Sequence, residues 1–244
     1  MSQNSPTYNG KMEPLDQTYS KLMQVHPYGN ALYKPQSSKT FHPGSIGYFD
    51  SLGNWNPVAD LISSTDVLST VFSPPPSDQL ILAPEETQTW GPKLGRQTTC
   101  HRIDLKQSVS LTAAVGVPVG VGSCFRFESS DTSGSVLLVK GPVVHRRYYH
   151  ESPFKRWIGA NAKAILKARP EVIEYGLWVV TSTWAANEVA VNCWNEQRRG
   201  VDVGFDVGVV EIGELAPKGG WFHAGEADGW VKVEGSEVRV NSYN

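Results

Sequence analysis

The feature that most constrains this chain is a run of strict alternation from Leu105 to Phe127. Its odd positions are almost all apolar, and its even positions are polar or small. A period of two indicates a β-strand with one apolar face and one polar face. An ordinary strand has about 5–6 residues, whereas a strand that crosses a bilayer needs roughly 9–11 alternating residues. The run is longer than both, which argues against an ordinary packed sheet.

A second alternating stretch begins about 75 residues after the end of the first. Val201, Val203, Phe205, Val207 and Val209 alternate there with aspartate and glycine. Both stretches place Gly, Ala or Ser on the face opposite the apolar one. Small residues suit a face that must tolerate different surroundings in two states.

The two stretches predict two long β-hairpins. The first joins Thr98 to Phe127 with Ser135 to Val144, and the second joins Leu177 to Trp194 with Val201 to Val209. The predicted membrane-inserting side chains are Val109, Leu111, Val115, Val117, Val119, Val121, Phe125, Val189, Val191, Val201, Val203, Phe205, Val207 and Val209. The alternative is a sheet with one face in solvent, which is the usual meaning of alternation in a single short strand.

Basic residues are concentrated in the middle of the chain. Between Lys93 and Arg169 there are thirteen basic and four acidic residues, so this block carries +9 in a chain whose formal net charge is −2. A helix predicted from Pro153 to Arg169, with Ser152 as its N-cap, has one basic and one aromatic-apolar face, which suits an anionic headgroup layer. The apolar face, which we expect to be buried, consists of Phe154, Trp157, Ile158, Ile165 and Leu166. The predicted lipid-binding residues here are Arg146, Arg147, Lys155, Arg156, Lys163 and Lys167. Nucleic acid is not expected as a partner, because the pI is about 6.3 and the sequence has no recognition motif.

The remaining elements predict one α+β domain, a twisted antiparallel sheet with flanking helices. Residues 1–12 are expected to be a disordered tail, and residues 13–244 a single domain. A short amphipathic helix is expected from Pro14, ending before Pro27, and a strand over Ser45 to Phe49, with irregular chain over Tyr28 to Gly44. Two short strands are expected between Gly219 and Val240. Three cysteines and no apolar leader indicate a reducing, cytoplasmic setting.

Catalysis finds little support in the sequence. The six histidines are scattered, no metal-binding spacing is present, and no Gly-x-Ser-x-Gly turn occurs. We therefore expect neither an enzyme, nor a metal, nor a cofactor. The eight Trp and nine Tyr leave a second hypothesis open, that of a soluble carbohydrate-binding β-sandwich module.

The order of these elements resembles the pore-forming domain of gasdermins. The run Leu177-Trp178-Val179-Val180-Thr181-Ser182, followed by Glu188-Val189, is similar to the strand with which that family enters its second hairpin. The run Phe41-His42-Pro43-Gly44-Ser45-Ile46-Gly47-Tyr48-Phe49-Asp50, with Trp55, resembles the fungal branch, the regulator of cell death proteins of filamentous fungi.

This resemblance implies a mechanism. Soluble monomers would bind anionic phospholipid such as phosphatidylserine or cardiolipin, oligomerise, and release both hairpins into a shared transmembrane barrel at the plasma membrane. The corresponding loop of animal gasdermins is rich in bases, whereas Ser51 to Pro57 contains none, so this chain departs from the family there. Trp55 is the lipid-contact residue that we expect in this loop. The chain is expected to lack a C-terminal repressor domain. The fungal branch implies a divergent allelic form as the trigger, in allorecognition and heterokaryon incompatibility.

Overall fold

The computed structural model describes residues 13–62, 72, 79–103, 121–195, 200–206 and 229–243. The helices are α1 (Leu15–Met23), α2 (Ser152–Ala168) and α3 (Val172–Tyr175). The strands are β1 (Asn30–Ser37), β2 (Ser45–Phe49), β3 (Trp55–Asp60), β4 (Glu86–Thr89), β5 (Lys93–Leu94), β6 (Thr98–Ile103), β7 (Val121–Ser129), β8 (Ser133–Lys140), β9 (Pro142–Arg147), β10 (Trp178–Val179), β11 (Ser182–Asn195), β12 (Gly200–Asp206) and β13 (Val231–Tyr243). All the strand pairs are antiparallel, which confirms the predicted α+β class.

The strands form three sheets. The largest has seven strands, in the order β1-β13-β11-β8-β5, with β9 also paired to β11 and β4 paired to β9. The second is β10-β2-β3, and the third is β12-β7-β6. The centre of the largest sheet is β11, which pairs with β13 along one edge and with β9 and then β8 along the other.

The central strand β11 is buried on both faces. Val189, Val191 and Cys193 pack in a cluster with α1, whereas Ala190 and Trp194 face the third sheet. A strand covered on both faces carries no simple apolar–polar alternation. This is why β11 shows only a weak period of two in the sequence.

Two predicted helices are confirmed, with one difference at a helix start. Helix α1 begins one residue after Pro14 and ends at Met23, before Pro27, as expected. Helix α2 ends at Ala168, before Pro170, but its N-cap is Glu151 and no side chain caps it, so Ser152 does not have the predicted capping role. Phe154, Trp157 and Ile165 of α2 pack against Ile46 of β2 and neighbouring residues.

Of three other expectations about the elements, two differ from the structure and one concerns residues outside the described ranges. Part of the segment predicted to be irregular forms β1, and its register with β13 shifts around Pro35, which has no N–H to donate. Of the C-terminal segment, the structure describes one long strand, β13, in place of the two short strands expected. Residues 1–12 lie outside the described residues.

Neither predicted hairpin has the predicted partners. Strands β6 and β7 pair antiparallel, with Cys100 opposite Phe127 and Ile103 opposite Cys124. Thr98 to Phe127 therefore does not form the one continuous strand that the first predicted hairpin required. Strand β8 pairs with β11 and β5, and β7 pairs with β6 and β12.

Strands β7 and β8 instead form a single ribbon with β12 and β11. The paired residue numbers add up to 328 in both ladders: Lys140–Glu188, Ser133–Asn195, Glu128–Gly200 and Phe125–Val203. The register is therefore retained across the break between Ser129 and Ser133. We call this pair of long, interrupted strands the bent ribbon.

The bent ribbon folds back on its own apolar face. Phe125 and Phe127 of β7 and Val201 and Val203 of β12 pack in one cluster with residues of β8 and β11. At the bend, the Ser129 hydroxyl donates a hydrogen bond of 2.7 Å to the Ser133 carbonyl. The apolar side of the third sheet is thus covered by the largest sheet.

Candidate membrane-contact site

The two arginines predicted to bind lipid are paired with carboxylates. The Arg146 Nε lies 2.5 Å from Oε1 of Glu85, and an Arg147 terminal nitrogen lies 3.9 Å from Oε1 of Glu86. Arg147 also lies over the ring of Tyr149, 5.3 Å from its centroid. Both arginines are half-buried. Their charge is largely balanced locally, so they offer less attraction to an anionic surface than the sequence suggested.

The basic residues of α2 are all exposed, but they differ in their partners. Lys155 Nζ lies 2.9 Å from Oε2 of Glu151, one turn earlier, and Arg156 donates a 2.6 Å hydrogen bond to the neutral Gln79 side chain. Within the described part of the chain, Lys163 and Lys167 make no ion pair. Among the described residues, the bases of α2 without a carboxylate partner are therefore Arg156, Lys163 and Lys167, and the two lysines lie in the C-terminal half of the helix.

Exposed aliphatic side chains accompany these lysines. Leu166, which was predicted on the buried face of α2, is 42% exposed, and Ile173 of α3 is 75% exposed. Exposed aliphatic groups beside cations are typical of surfaces that sit at a lipid interface. The lysines and these two side chains form what we call the α2–α3 surface: Lys163, Leu166, Lys167 and Ile173.

The predicted inserting side chains divide into three groups. Phe125, Val189, Val191, Val201 and Val203 are buried in the core, each with at most 4% exposure. Val121 lies in β7 and Phe205 in β12. Val109, Leu111, Val115, Val117, Val119, Val207 and Val209 lie outside the described residues. Insertion of the first group remains a prediction, and it requires these cores to open.

Trp55 is part of a small aromatic core. It is 8% exposed, its indole N–H donates a 2.9 Å hydrogen bond to the Thr40 carbonyl, and its ring meets Phe41 edge-on at 4.8 Å between centroids. Its role in lipid contact stays a prediction. In the folded monomer Trp55 stabilises the junction of β2 and β3.

One constellation could not have been found from the sequence. Nε2 of His145 lies 2.8 Å from the Ser182 hydroxyl, and its Nδ1 lies 3.5 Å from Oε2 of Glu86. The three residues are far apart in the chain, and the register of β4, β9 and β11 brings them to one face. The ring of His145 stacks on Trp184 at 3.9 Å, nearly parallel. Burial lowers the pKa of His145, although the hydrogen bond and charge of Glu86 oppose this shift.

This Ser–His–Glu arrangement has the connectivity of a catalytic triad but not its surroundings. Ser182 is 6% exposed. Its strand pairs with β9 on one side and β13 on the other, so the local backbone N–H groups are engaged in the sheet and are not free to bind an oxyanion. The geometry fits a structural role, in which the serine and glutamate orient the stacked imidazole.

The described cysteines are also poorly suited to act as nucleophiles. Burial raises the pKa of Cys100 to about 11 and that of Cys193 to about 12, which keeps both thiols protonated near neutral pH. Neither of these two forms a disulfide. Among the described residues, no group of three His, Cys, Asp or Glu side chains could hold a metal ion.

Two comparisons with known proteins found no match. No protein-family model matches the sequence, and no curated protein is significantly similar to it. None of the described helices is long and apolar enough to span a bilayer.

Proposed function

We propose that this protein is a pore-forming cell-death effector. In this proposal the inactive chain is cytoplasmic, binds anionic phospholipid at the plasma membrane, and oligomerises there. Each subunit then inserts two amphipathic β-hairpin regions of the gasdermin type. A divergent allelic form of the same protein is the trigger, as in allorecognition between incompatible strains.

The observation that carries the proposal is the bent ribbon. Its apolar face is turned inward, where Phe125, Phe127, Val201 and Val203 are each at most 4% exposed. Exposing four such side chains to water would cost on the order of 6–12 kcal/mol. Lipid tails are as apolar as a protein core, so a bilayer removes most of that cost. The ribbon would therefore stay folded in water and could open against a membrane.

The length of the ribbon also supports the proposal. β7 and β8 together run from Val121 to Lys140 with one short interruption, opposite β11 and β12. At roughly 3.4 Å per residue such a strand, once straightened, exceeds the roughly 30 Å of a bilayer's hydrocarbon core. The equal register on both sides of the bend means that straightening needs no re-pairing of these strands.

Leakage of dye from anionic vesicles tests the proposal. Val117→Asp and Phe205→Asp should each abolish most leakage while soluble expression is retained, because a charge at the bilayer midplane costs on the order of 2–4 kcal/mol. Val25→Asp is the matched control, since Val25 is 47% exposed and lies outside the ribbon. Wild-type leakage by both variants would refute the assignment of these two positions to the membrane.

We also propose that no catalytic step is involved. The buried Ser182 hydroxyl is the nucleophile that an enzymatic alternative would need. A fluorophosphonate probe should leave Ser182 unlabelled in the folded protein, as judged by mass spectrometry. Stoichiometric labelling of Ser182 that is lost in His145→Gln would instead establish a serine hydrolase.

A further inference from the structure

A cleft of about 340 Å³ lies between α1, β1 and the turn that follows β2. Its volume falls within the range of roughly 300–1,000 Å³ that is usual for small-molecule sites. The cleft is separate from the bent ribbon and from the α2–α3 surface. The proposed pore-forming function makes no use of it.

The two walls of the cleft differ in chemistry. One wall is the polar side of α1, with Asp16, Gln17 and other hydrophilic side chains. The other wall is aromatic and contains Tyr33, Phe49 and Trp178. The rings of Phe49 and Trp178 meet edge-on at 5.3 Å between centroids, and all three aromatic side chains are half-buried. A ligand that fits must have a hydrogen-bonding rim and an apolar face.

The turn that closes the cleft is already organised. The Asp50 carboxylate accepts 2.9 Å hydrogen bonds from the backbone N–H groups of Leu52 and Asn54, which lower the pKa of Asp50. Lys34 Nζ donates to the Leu52 carbonyl at 2.5 Å and so ties β1 to the turn. A site formed in advance loses less conformational entropy when it binds a ligand.

The charges that line the cleft are balanced. Lys21 is paired with Glu13, and Lys34 is bound by the turn, so neither ammonium group is left alone. Within the described part of the chain, no hydrogen bond or ion pair engages the side chain of Asp16 or Gln17. These acceptors and donors are therefore available to a ligand, and the balanced charge favours a neutral one.

We propose that this cleft binds a neutral saccharide. The ring hydroxyls bind the Asp16 carboxylate and the Gln17 amide, and the apolar C–H face of the sugar ring packs on Trp178 and Tyr33. Carboxylate and amide groups suit hydroxyl recognition because they accept and donate several hydrogen bonds in a fixed geometry. The proposal is independent of pore formation.

Two binding assays with the whole 244-residue chain test the proposal. The soluble arm measures binding by saturation-transfer NMR, with the trimers of glucose, mannose and N-acetylglucosamine as ligands. The membrane arm measures co-sedimentation with neutral phosphatidylcholine vesicles, with and without glucosylceramide. Binding in the first arm identifies a free saccharide, and binding that requires glucosylceramide identifies a glycolipid headgroup. Binding in neither arm by folded protein overturns the proposal.

Matched variants locate the site. Asp16→Asn should weaken binding by about tenfold, the usual effect of losing a charged hydrogen-bond partner. Trp178→Phe retains an aromatic core and should weaken binding less. Glu171→Gln changes a carboxylate to an amide at an exposed position outside the cleft and should have no effect. If Asp16→Asn and Gln17→Ala both bind the sugar as the wild type does, the saccharide is not bound in this cleft.

Discussion

His145 shows how a single buried residue couples this fold to pH. Its ring stacks on Trp184, and its nitrogens contact Ser182 and Glu86. Burial lowers the pKa of His145, and the nearby charge of Arg147 adds to the shift. The unfolded chain has a histidine pKa of about 6.5, so between that value and the lowered one the unfolded state binds more protons.

The free energy of unfolding should therefore fall as the pH drops below about 6.5. His26, whose pKa is also lowered by burial, acts in the same direction. Urea titrations at several pH values check this. His145→Gln should reduce the slope, and His150→Gln, at an exposed position, is the control. A free energy of unfolding that rises as the pH falls from 7.5 to 6 would contradict the expectation.

At Gly134, next to the bend, the structure leaves no space for a side chain. A Cβ added there would overlap the indole ring of Trp194 and lie 2.9 Å from the Cβ of Ser129. Gly134 and Trp194 are paired across the ribbon, and Trp194 is 4% exposed. The glycine is thus needed for close approach of the two strands at the fold-back point.

Gly134→Ala should destabilise the monomer by about 1–3 kcal/mol, the usual effect of overpacking a core. If the ribbon opens in the membrane, the same change should also speed vesicle leakage, because the clash is present in the folded-back form. Gly159→Ala is the control, since that position of α2 has open space around it and alanine favours a helix. Slower leakage with normal vesicle binding would show that the bend does not open.

In the described part of the chain, helix α2 carries exposed positive charge that no carboxylate balances. Lys163 and Lys167 make no ion pair there, whereas Lys155 is paired with Glu151 and Arg156 donates a hydrogen bond to the neutral Gln79 side chain. Each base near an anionic surface contributes about 1 kcal/mol. The combined Lys163→Gln and Lys167→Gln variant should therefore bind acidic vesicles roughly thirtyfold more weakly.

Co-sedimentation at two salt concentrations measures this effect, which should shrink as salt screens the charges. Lys39→Gln, at an exposed position after β1, is the matched control. Reversal of charge at Lys155 and Arg156 should also weaken binding to acidic vesicles. Lys155 contributes less to this effect, because it is already paired with Glu151. Equal binding of the wild type to neutral and acidic vesicles would exclude electrostatic recruitment.

The sequence predicts individual elements better than their partners. The apolar stripe of α1 and the Pro153 start of α2 are local signals, and both helices lie where the sequence places them, α1 between Pro14 and Pro27 and α2 within one residue of the predicted bounds. Alternation identifies which face of a strand is apolar, but not which strand lies beside it. Strands β8 and β11 are separated by α2 and yet pair, so the predicted hairpins had the wrong partners.

For the candidate site residues, too, the sequence predicts exposure but not interaction partners. The exposure of the lysines on α2 follows from the helix pattern alone, and it was predicted. The pairing of Arg146 with Glu85 depends on how β4 docks on β9, which no local pattern encodes. The contact of His145 with Ser182 depends on the same sheet register. Residues of the cleft come from four separate segments of the chain, so the sequence carries no signal for it.

If the chain oligomerises as we propose, its charge distribution and its strand edges indicate how one subunit would contact the next. The block from Lys93 to Arg169 carries +9, and the rest of the chain is correspondingly acidic. In the described part of the chain, β12 and β6 are the outer strands of the third sheet. Outer strands present unpaired backbone groups that a neighbouring subunit can bind. Complementary charge would then align a basic surface on one subunit with an acidic surface on the next.

Such pairing can supply the free energy that opens the ribbon. Moving a subunit from about 1% to 99% open requires roughly 5.5 kcal/mol of differential affinity. A cell that makes only one form survives if self-pairing falls short of this value, so we expect the strong pairing to be with a divergent allelic form. The purified protein alone should release little dye from vesicles that contain phosphatidylserine or cardiolipin. Addition of the divergent form should raise dye release at least tenfold. Full leakage by this chain alone at low concentration, unchanged by the partner, would contradict activation by a second form and leave pore formation itself intact.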